Sequence, residues 1–207
     1  MHGWIIMLLI LVAVALKLLD SSKTFTGFLG EQGVRSHLNK LDKAKYLIIN
    51  DLMIQNHRGD GTSQIDHVVV FRGGLVVIET KNWAGRVYGK GDDRQWTVTL
   101  GGRKYRRTNP INQNMGHIKA LRAILGDTVP MYNMVVLSGR TDLRLNDIAH
   151  GVVVRPRNVV PTITSLNDEV LIDQEAQTIY QRLVSANITD TSARKQHVKN
   201  IRKRYIK

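Results

Sequence analysis

The stretch from Gln64 to Lys81 constrains the fold more than any other part of the chain. Two runs rich in β-branched residues flank Gly73-Gly74, a dipeptide that can adopt the positive φ angles of a two-residue turn. The segment Val76-Val77-Ile78 is continuously apolar, which is typical of a strand buried on both faces. The pattern therefore predicts a β-hairpin in the heart of a sheet.

The turn sets the pairing of the two predicted strands. If Arg72 pairs with Leu75, Asp66 lies opposite Lys81 and diagonal to Glu79, with all three side chains on one face. Opposed Cβ atoms are roughly 4.5–5.5 Å apart and diagonal ones roughly 7–8 Å, so the two carboxylates can reach one ion. A four-residue loop preserves this arrangement, whereas a three-residue loop would put the carboxylates on opposite faces.

A simpler interpretation places Glu79 and Lys81 in solvent at the end of an ordinary strand, with Asp66 merely beginning the preceding one. The apolar run before them argues against it, because buried charges carry a desolvation cost unless they are paired or bound to a metal. Clustered carboxylates are the ligands of hard divalent cations. We therefore predict a metal site.

Composition narrows the partners. A chain of 207 residues with 43% hydrophobic content can form one well-filled domain plus a short appendage. Cysteine is absent, which excludes disulfides, zinc-thiolate sites and thiol nucleophiles. We also expect no small-molecule organic cofactor. The net charge of +13 indicates a polyanionic partner, either nucleic acid or an anionic membrane surface.

The segment Trp4–Leu19 is apolar except for Lys17, whose long stem can reach the membrane interface. It is short for a membrane span, which usually needs ~17–25 residues, so residues 1–22 predict a minimal single transmembrane anchor and the start of a linker. A signal peptide cleaved after Ala15 and a buried core helix remain alternatives.

The charges around this segment predict its orientation. Only His2 precedes the apolar run, whereas Lys17, Lys23 and Arg35 follow it. By the positive-inside rule, we expect a single-pass protein of the inner membrane with its globular part in the cytoplasm.

The rest of the chain predicts alternating helices and strands. Helices are predicted over Gly30–Leu41, Asn109–Leu125, Asp173–Ala186 (capped by Asp173) and Thr191–Lys207, and strands over Tyr46–Ile54, Tyr132–Ser138 and Gly151–Arg155. Residues 82–93 contain three glycines and predict a loop. The last helix, within residues 189–207, is amphipathic and basic, which suits a solvated face, nucleic-acid contact or binding to the inner leaflet.

A second hairpin is predicted around Gly101-Gly102, between Gln95–Leu100 and Arg103–Thr108. Its returning strand carries the basic residues Arg103, Lys104, Arg106 and Arg107. This strand can be an edge protected from aggregation by charge, or a rim that binds nucleic-acid phosphates, where Tyr105 or Trp96 could stack on a base. The two interpretations are compatible.

Four ordered motifs point to a family. They are Gly30-Glu-Gln-Gly33, Gln64-Ile-Asp-His67, Val77-Ile-Glu-Thr-Lys-Asn-Trp83 and Asn109-Pro-Ile-Asn-Gln-Asn114. Together they resemble the nuclease-related domain (NERD) family, which is assigned to the PD-(D/E)xK nuclease superfamily. The resemblance covers roughly residues 27–126 and implies an α/β fold with a mixed central β-sheet flanked by helices. We predict residues 23–126 as the nuclease-like core and residues 127–188 as the remaining strands and helix of the same domain.

The resemblance also implies roles for the charged residues of the central hairpin. Asp66 and Glu79 would bind Mg²⁺ or Mn²⁺, with the carbonyl of Thr80 as an extra ligand, and Lys81 would orient or deprotonate the attacking water. A divalent ion suits this chemistry because it polarises a phosphoryl oxygen and lowers the pKa of bound water.

Two further residues complete the implied site from flanking helices, Glu31 from the first helix and Gln113 from the second. The family's first-motif proline is missing, because Ile65 precedes Asp66. That position varies in the superfamily, so the assignment stands.

The sequence thus predicts a membrane-anchored, metal-dependent nuclease, with DNA as the favoured substrate. The alternative is a nucleic-acid-binding or scaffold module that keeps the nuclease fold without turnover. An enzyme that acts on RNA is a third possibility.

Overall fold

The computed structural model describes residues 27–205, with side chains as far as residue 200. In chain order the strands are β1 (Leu47–Gln55), β2 (Thr62–Phe71), β3 (Gly74–Lys81), β4 (Gly85–Lys90), β5 (Gln95–Leu100), β6 (Arg103–Thr108), β7 (Met131–Leu137), β8 (Thr141–Asn146) and β9 (Val152–Val154). The helices are α1 (residues 27–38), α2 (Pro110–Leu125), a 3₁₀ turn (Pro156–Asn158), α3 (Val159–Thr164), α4 (Asp173–Ala186) and α5 (Thr191–Tyr205).

The predicted membrane segment, Trp4–Leu19, lies outside the described residues. Among the helices of residues 27–205, none is long and apolar enough to cross a membrane.

The strands form two mixed sheets flanked by helices. The first has five strands in the order β1-β2-β3-β7-β9, where β7 and β9 run parallel to β3, and the second has four in the order β6-β5-β4-β8. The prediction of an α/β fold with a mixed sheet flanked by helices is therefore confirmed, and a second mixed sheet is present in addition. Residues after 126 supply β7 and β9 to the first sheet and β8 to the second.

Both faces of the first sheet are covered. One face packs against α2 and α4 through a cluster that includes Val68, Val70, Leu75, Val77, Ile118, Leu121, Ala176 and Leu183. The other packs against α1 and α3 through Val69, Phe71, Val76, Ile78, Val34, Leu38, Val159 and Ile163. Since neighbouring residues of β2 and β3 enter opposite cores, both strands must be continuously apolar.

The turn of the central hairpin lies one residue earlier than predicted. Phe71 pairs with Gly74, so the predicted pairing of Arg72 with Leu75 is wrong. The reason is packing at Gly74, which has a φ of 121° and where a Cβ atom would lie 2.3 Å from the carbonyl oxygen of Pro130. Each residue's partner changes by two positions, and because side chains alternate with a period of two, the predicted faces are preserved.

The predicted loop over residues 82–93 contains β4, so that prediction is wrong. A Cβ atom at Gly85 would lie 2.1 Å from the carbonyl oxygen of Thr99, and one at Gly89 would lie 2.1 Å from Cδ1 of Trp96. These glycines allow close approach of β5 rather than a loop. Strand β8, which pairs with β4, was not predicted either.

The other predicted elements are confirmed to within a few residues. The second hairpin turns at Gly101-Gly102, which have φ angles of 57° and 75°. Helix α2 begins after Asn109, whose side chain accepts a backbone N–H of the first turn. Helix α4 has Ile172 rather than Asp173 at its N-cap, because the side chain of Glu175 accepts the N–H of Ile172 at 2.9 Å.

Candidate active site

The charged residues of the central hairpin meet where β3 ends. The Nζ atom of Lys81 lies 2.5 Å from Oε1 of Glu79, which is only 2% exposed. The carboxylate of Asp66, on β2, accepts the backbone N–H of Thr80 at 2.7 Å. Asp66, Glu79 and Lys81 therefore lie together at the end of the first sheet where β3 finishes.

Helix α2 adds two side chains to Glu79. Gln113 donates through Nε2 to Oε1 at 2.8 Å, and Nε2 of His117 lies 3.2 Å from Oε2. The other ring nitrogen of His117 is 2.7 Å from the hydroxyl of Ser63. A neutral ring satisfies both contacts if Nε2–H donates to Glu79 and Nδ1 accepts from the hydroxyl. One helical turn separates Gln113 from His117, which is why both reach the same carboxylate.

Buried amides hold α2 in this position. The side chain of Asn109 donates to the carbonyl oxygens of Gly91 at 2.9 Å and Asp93 at 2.7 Å. Asn114, which is fully buried, donates to the carbonyl oxygen of Val77 in β3 at 2.7 Å. The motif around the start of α2 thus fixes the helix against β3 at the level of Glu79.

Glu31 approaches from α1, on the other face of the sheet. A Cβ atom at Gly30 would lie 2.7 Å from Oγ of Ser138 and 2.9 Å from Cβ of Asn82, so only glycine lets α1 pass this close to the ends of β3 and β7. Burial raises the pKa of Glu31, and repulsion from Glu79 raises it further. Glu31 therefore shares the electrostatic environment of the site.

The two central carboxylates have opposite pKa shifts. Burial, followed by repulsion from Glu79 and Glu31, raises the pKa of Asp66 well above its usual range. Burial also acts to raise the pKa of Glu79, but Lys81 and His117 outweigh it and the pKa falls below its usual value. The site thus holds more carboxylates than nearby cations neutralise, a condition that a divalent cation would relieve.

The donor chemistry fits such an ion. Among the described residues, no three His, Asp or Glu side chains are grouped closely enough to hold a metal by themselves. The candidate donors are the carboxylates of Asp66 and Glu79 and the carbonyl of Thr80. A set of this kind suits Mg²⁺, which typically keeps several waters and takes one or two protein carboxylates.

Asp51 is a neighbour of the site that the sequence did not indicate. It lies on β1 between the residues that pair with His67 and Ile65, and so stands beside Asp66. Its φ of 55° is unusual for a residue other than glycine, and its carboxylate contacts Gln64 and Arg194, each at 2.7 Å. No local pattern marks an aspartate for this conformation, whereas His117 could be found from its spacing to Gln113.

The basic strand β6 lies at the edge of the second sheet, and all of its residues are exposed. Arg106 donates to the hydroxyl of Thr97 at 3.0 Å, and the guanidinium of Arg107 lies 5.8 Å from the ring centre of Tyr105. Arg103 and Lys104 extend the same basic strand. Trp96 is completely buried, so stacking of a base on it is excluded, whereas Tyr105 is 39% exposed.

Comparison with known proteins adds independent information. A family model described as the nuclease-related domain matches residues 26–138. An uncharacterized protein of Bacillus anthracis is 32% identical over 205 residues, which cover 96% of this chain and 96% of that protein. No solved structure matches the chain.

Proposed function

This chain belongs to the nuclease-related domain family, and we propose that it is a metal-dependent nuclease that hydrolyses phosphodiester bonds in DNA. One observation carries the proposal: Lys81 and Gln113 both contact the buried carboxylate of Glu79, with Asp66 at the same edge of the sheet. Two carboxylates beside a lysine can hold a divalent ion and a positive charge next to a scissile phosphodiester, which suits metal-assisted hydrolysis.

Asp66, Glu79 and the carbonyl of Thr80 would hold Mg²⁺ or Mn²⁺, which supplies a Lewis acid for the phosphoryl oxygen and lowers the pKa of water. Lys81 stands beside the donors, where its ammonium form can stabilise the charge that grows on the phosphate, or its neutral amine can take a proton from water. Glu31 completes the site from α1.

The remaining contacts fix the orientation of the carboxylates. The N–H of Thr80 holds one oxygen of Asp66, and Gln113 holds one oxygen of Glu79. Such partners determine the direction in which a ligand presents its lone pairs. On this proposal Gln113 acts by positioning Glu79.

A cleavage assay tests the proposal. The full-length protein is incubated with linear, circular and single-stranded DNA, and with RNA, in the presence of Mg²⁺ or Mn²⁺. We expect Asp66→Asn and Lys81→Ala to lower the cleavage rate about a hundredfold or more. Asp127→Asn and Lys119→Ala remove the same charges from exposed positions and should leave the rate unchanged. Metal-dependent cleavage that persists in both site variants would contradict the assignment.

A non-catalytic nucleic-acid-binding or scaffold module is the second candidate. It is favoured by the fact that both carboxylate oxygens of Glu79 already have partners, namely Lys81 and Gln113 on one and His117 on the other. This candidate predicts salt-sensitive binding to nucleic acid and no metal-dependent product in the same assay.

We also propose that Trp4–Leu19 anchors the protein in the inner membrane with its folded part in the cytoplasm. The support is the apolar run and the positive charges that follow it. The full chain should sediment with membranes and require detergent, and deletion of residues 1–22 should release it. Recovery of the full chain in the soluble fraction would contradict the anchor.

A further inference from the structure

A cationic cavity of about 650 Å³ opens where β7 and β9 end, away from the carboxylates described above. It is lined by His37, Arg140, Thr141, Arg155, Pro156 and Arg157. No carboxylate lines the cavity, and none of the carboxylates in the described part of the chain forms an ion pair with its arginines. Such a concentration of unneutralised guanidinium groups favours an anionic ligand.

The arginines of the cavity differ in their support. The guanidinium of Arg155 donates to the carbonyl oxygen of Gly139 at 3.2 Å and also contacts the carbonyl and hydroxyl of Thr141, so it forms a fixed wall. Arg140 and Arg157 are exposed, and their side chains have no hydrogen-bond partner among the described residues. They can turn their donors towards a ligand.

The cavity and the candidate active site lie at the same end of the first sheet, where strands β3, β7 and β9 finish. Lys81 on β3 is level with Leu137 on β7, and Val136 on β7 is level with Val154 on β9, which directly precedes Arg155. Two strand spacings therefore separate the ends of β3 and β9, about 10 Å.

Helix α1 joins the same two places. It carries Glu31 at the candidate active site and His37 in the wall of the cavity. These residues are six positions apart, about 9 Å along the helix axis.

We propose that this cavity binds a backbone phosphate of the nucleic-acid substrate, at most about three nucleotides from the phosphodiester at Lys81, because each nucleotide advances a strand by at least its axial rise of about 3.4 Å. The planar fork of arginine matches the oxygens of a phosphate and pairs with them in a bidentate manner. This proposal rests on the proposed function: a nucleic-acid phosphate is the expected ligand because the cavity lies at the same strand ends as the proposed nuclease site.

Binding without turnover tests the proposal. The full-length protein is titrated into labelled duplex DNA in the presence of a chelator, at several salt concentrations. Arg140→Gln/Arg157→Gln should weaken binding about tenfold. The slope of the logarithm of the binding constant against the logarithm of the salt concentration should become shallower by about 0.9 for each phosphate that is no longer bound. Arg122→Gln/Arg182→Gln removes the same charge from exposed positions on α2 and α4 and should weaken binding less than twofold. Equal effects of the two double variants would overturn the proposal.

The position of the phosphate can be mapped with duplexes that carry one neutral methylphosphonate each. We expect one linkage, within about three nucleotides of the cut, whose neutralisation weakens DNA binding by the wild-type protein but not by Arg140→Gln/Arg157→Gln. An equal response of both proteins at every linkage would contradict the site. A double variant that loses binding to anionic lipid vesicles but keeps its affinity for DNA would also overturn it, and would assign the cavity to a lipid headgroup.

The failure of this proposal is distinguishable from that of the proposed function. If Asp66→Asn leaves cleavage unchanged but the arginine variant weakens DNA binding, the cavity is supported and the assigned catalytic centre is not. If the protein is an active nuclease, the arginine variant should raise KM while kcat stays within about twofold. A fall in kcat with unchanged KM would overturn the cavity as a remote phosphate site.

Discussion

At the scale of single residues, Glu79 shows how a buried carboxylate is stabilised in the folded protein. A carboxylate with 2% exposure would be costly if it stood alone. Lys81, Gln113 and His117 supply three partners for its two oxygens. Removing one partner of a buried charge is more damaging than the strength of the pair itself suggests, because the remaining charge keeps its desolvation cost. The stability of the fold and the proposed metal binding therefore depend on the same contacts.

His117 offers a substitution that separates its two contacts. Asparagine can replace Nδ1, which contacts Ser63, whereas glutamine can replace Nε2, which contacts Glu79. We expect His117→Asn to raise the Mn²⁺ concentration for half-saturation about tenfold, because loss of a ligand's hydrogen-bond partner weakens metal binding. His117→Gln should retain most of the affinity. Calorimetric titration with Mn²⁺ measures both, and equal losses would show that His117 does not orient Glu79.

His67 gives a prediction about pH. It is 3% exposed, its Nδ1 atom is 2.7 Å from Oδ1 of Asn50, and its Nε2 atom has no hydrogen-bond partner among the described residues. Burial, aided by repulsion from Arg35, lowers its pKa to about 4. The unfolded chain binds the proton more readily, with a pKa of about 6.5. Protonation therefore favours unfolding.

The sign and range follow from these two pKa values. The contribution of neutral His67 is fully present above pH 6.5 and is lost as the pH falls from about 6.5 to about 4, by about 3 kcal/mol in the free energy of unfolding. Urea unfolding of the metal-free protein at pH 7 and pH 4 measures the change. His67→Gln should show a smaller loss over the same range, and an identical loss would mean that other groups cause it.

At the scale of elements, the glycines of β4 carry a stability prediction. A methyl group at Gly89 would overlap the buried ring of Trp96, whose Nε1 donates to the carbonyl oxygen of Lys90 at 2.8 Å. We expect Gly89→Ala to lower the free energy of unfolding by about 1–3 kcal/mol through overpacking. A methyl group at Gly116, inside α2, would meet no atom within 4 Å, so Gly116→Ala should raise it by about 1 kcal/mol. Urea unfolding of both variants distinguishes the signs, and a neutral Gly89→Ala would refute the packing argument.

The same glycines explain which elements the sequence could predict. Helix α2 has local signals at both ends, Asn109 and Gly126, and the second hairpin has a turn that needs positive φ at Gly101-Gly102, so these elements were predicted closely. Strand β4 was missed because the contacts that require Gly85 and Gly89 are made with the next strand, β5. The residues immediately around the two glycines do not reveal those contacts. A glycine kept for close approach and a glycine kept for a loop look alike in a sequence.

The candidate site divides in the same way. Alternation along β2 and β3 predicted that Asp66 and Glu79 share a face, and this survives a register that is two positions off, because only the parity of the shift matters. The contact between Glu79 and Gln113 follows from the packing of α2 on β3. The spacing of apolar residues along α2 indicates that the helix packs on a core, but it does not determine which strand it contacts. Asp51 could not be predicted, since its φ is positive without a local signal and its carboxylate contacts an arginine far along the chain.

At the scale of the whole molecule, Arg194 joins helix α5 to β1, the edge strand of the first sheet, beside the candidate site. Arg194 on α5 contacts the carboxylate of Asp51 at 2.7 Å and its carbonyl oxygen at 3.0 Å. Nearby, His197 lies 2.7 Å from the hydroxyl of Thr62 at the start of β2. Residues beyond the segment matched by the family model thus contact the strand that lies next to Asp66.

This connection predicts that α5 stabilises the folded core. Arg194→Ala should lower the free energy of unfolding by about 1–2 kcal/mol, because it removes charge-assisted bonds to a half-exposed partner that holds a left-handed φ. Arg194→Lys keeps the charge but not the second bond of the fork, and should recover about half of the loss. The control is Arg182→Ala on α4, an exposed arginine with no bonded partner among the described residues. If Arg194→Ala unfolds at the same urea concentration as Arg182→Ala, the bond to Asp51 contributes nothing measurable, and the unusual conformation of Asp51 must be held by β1 and Gln64 instead.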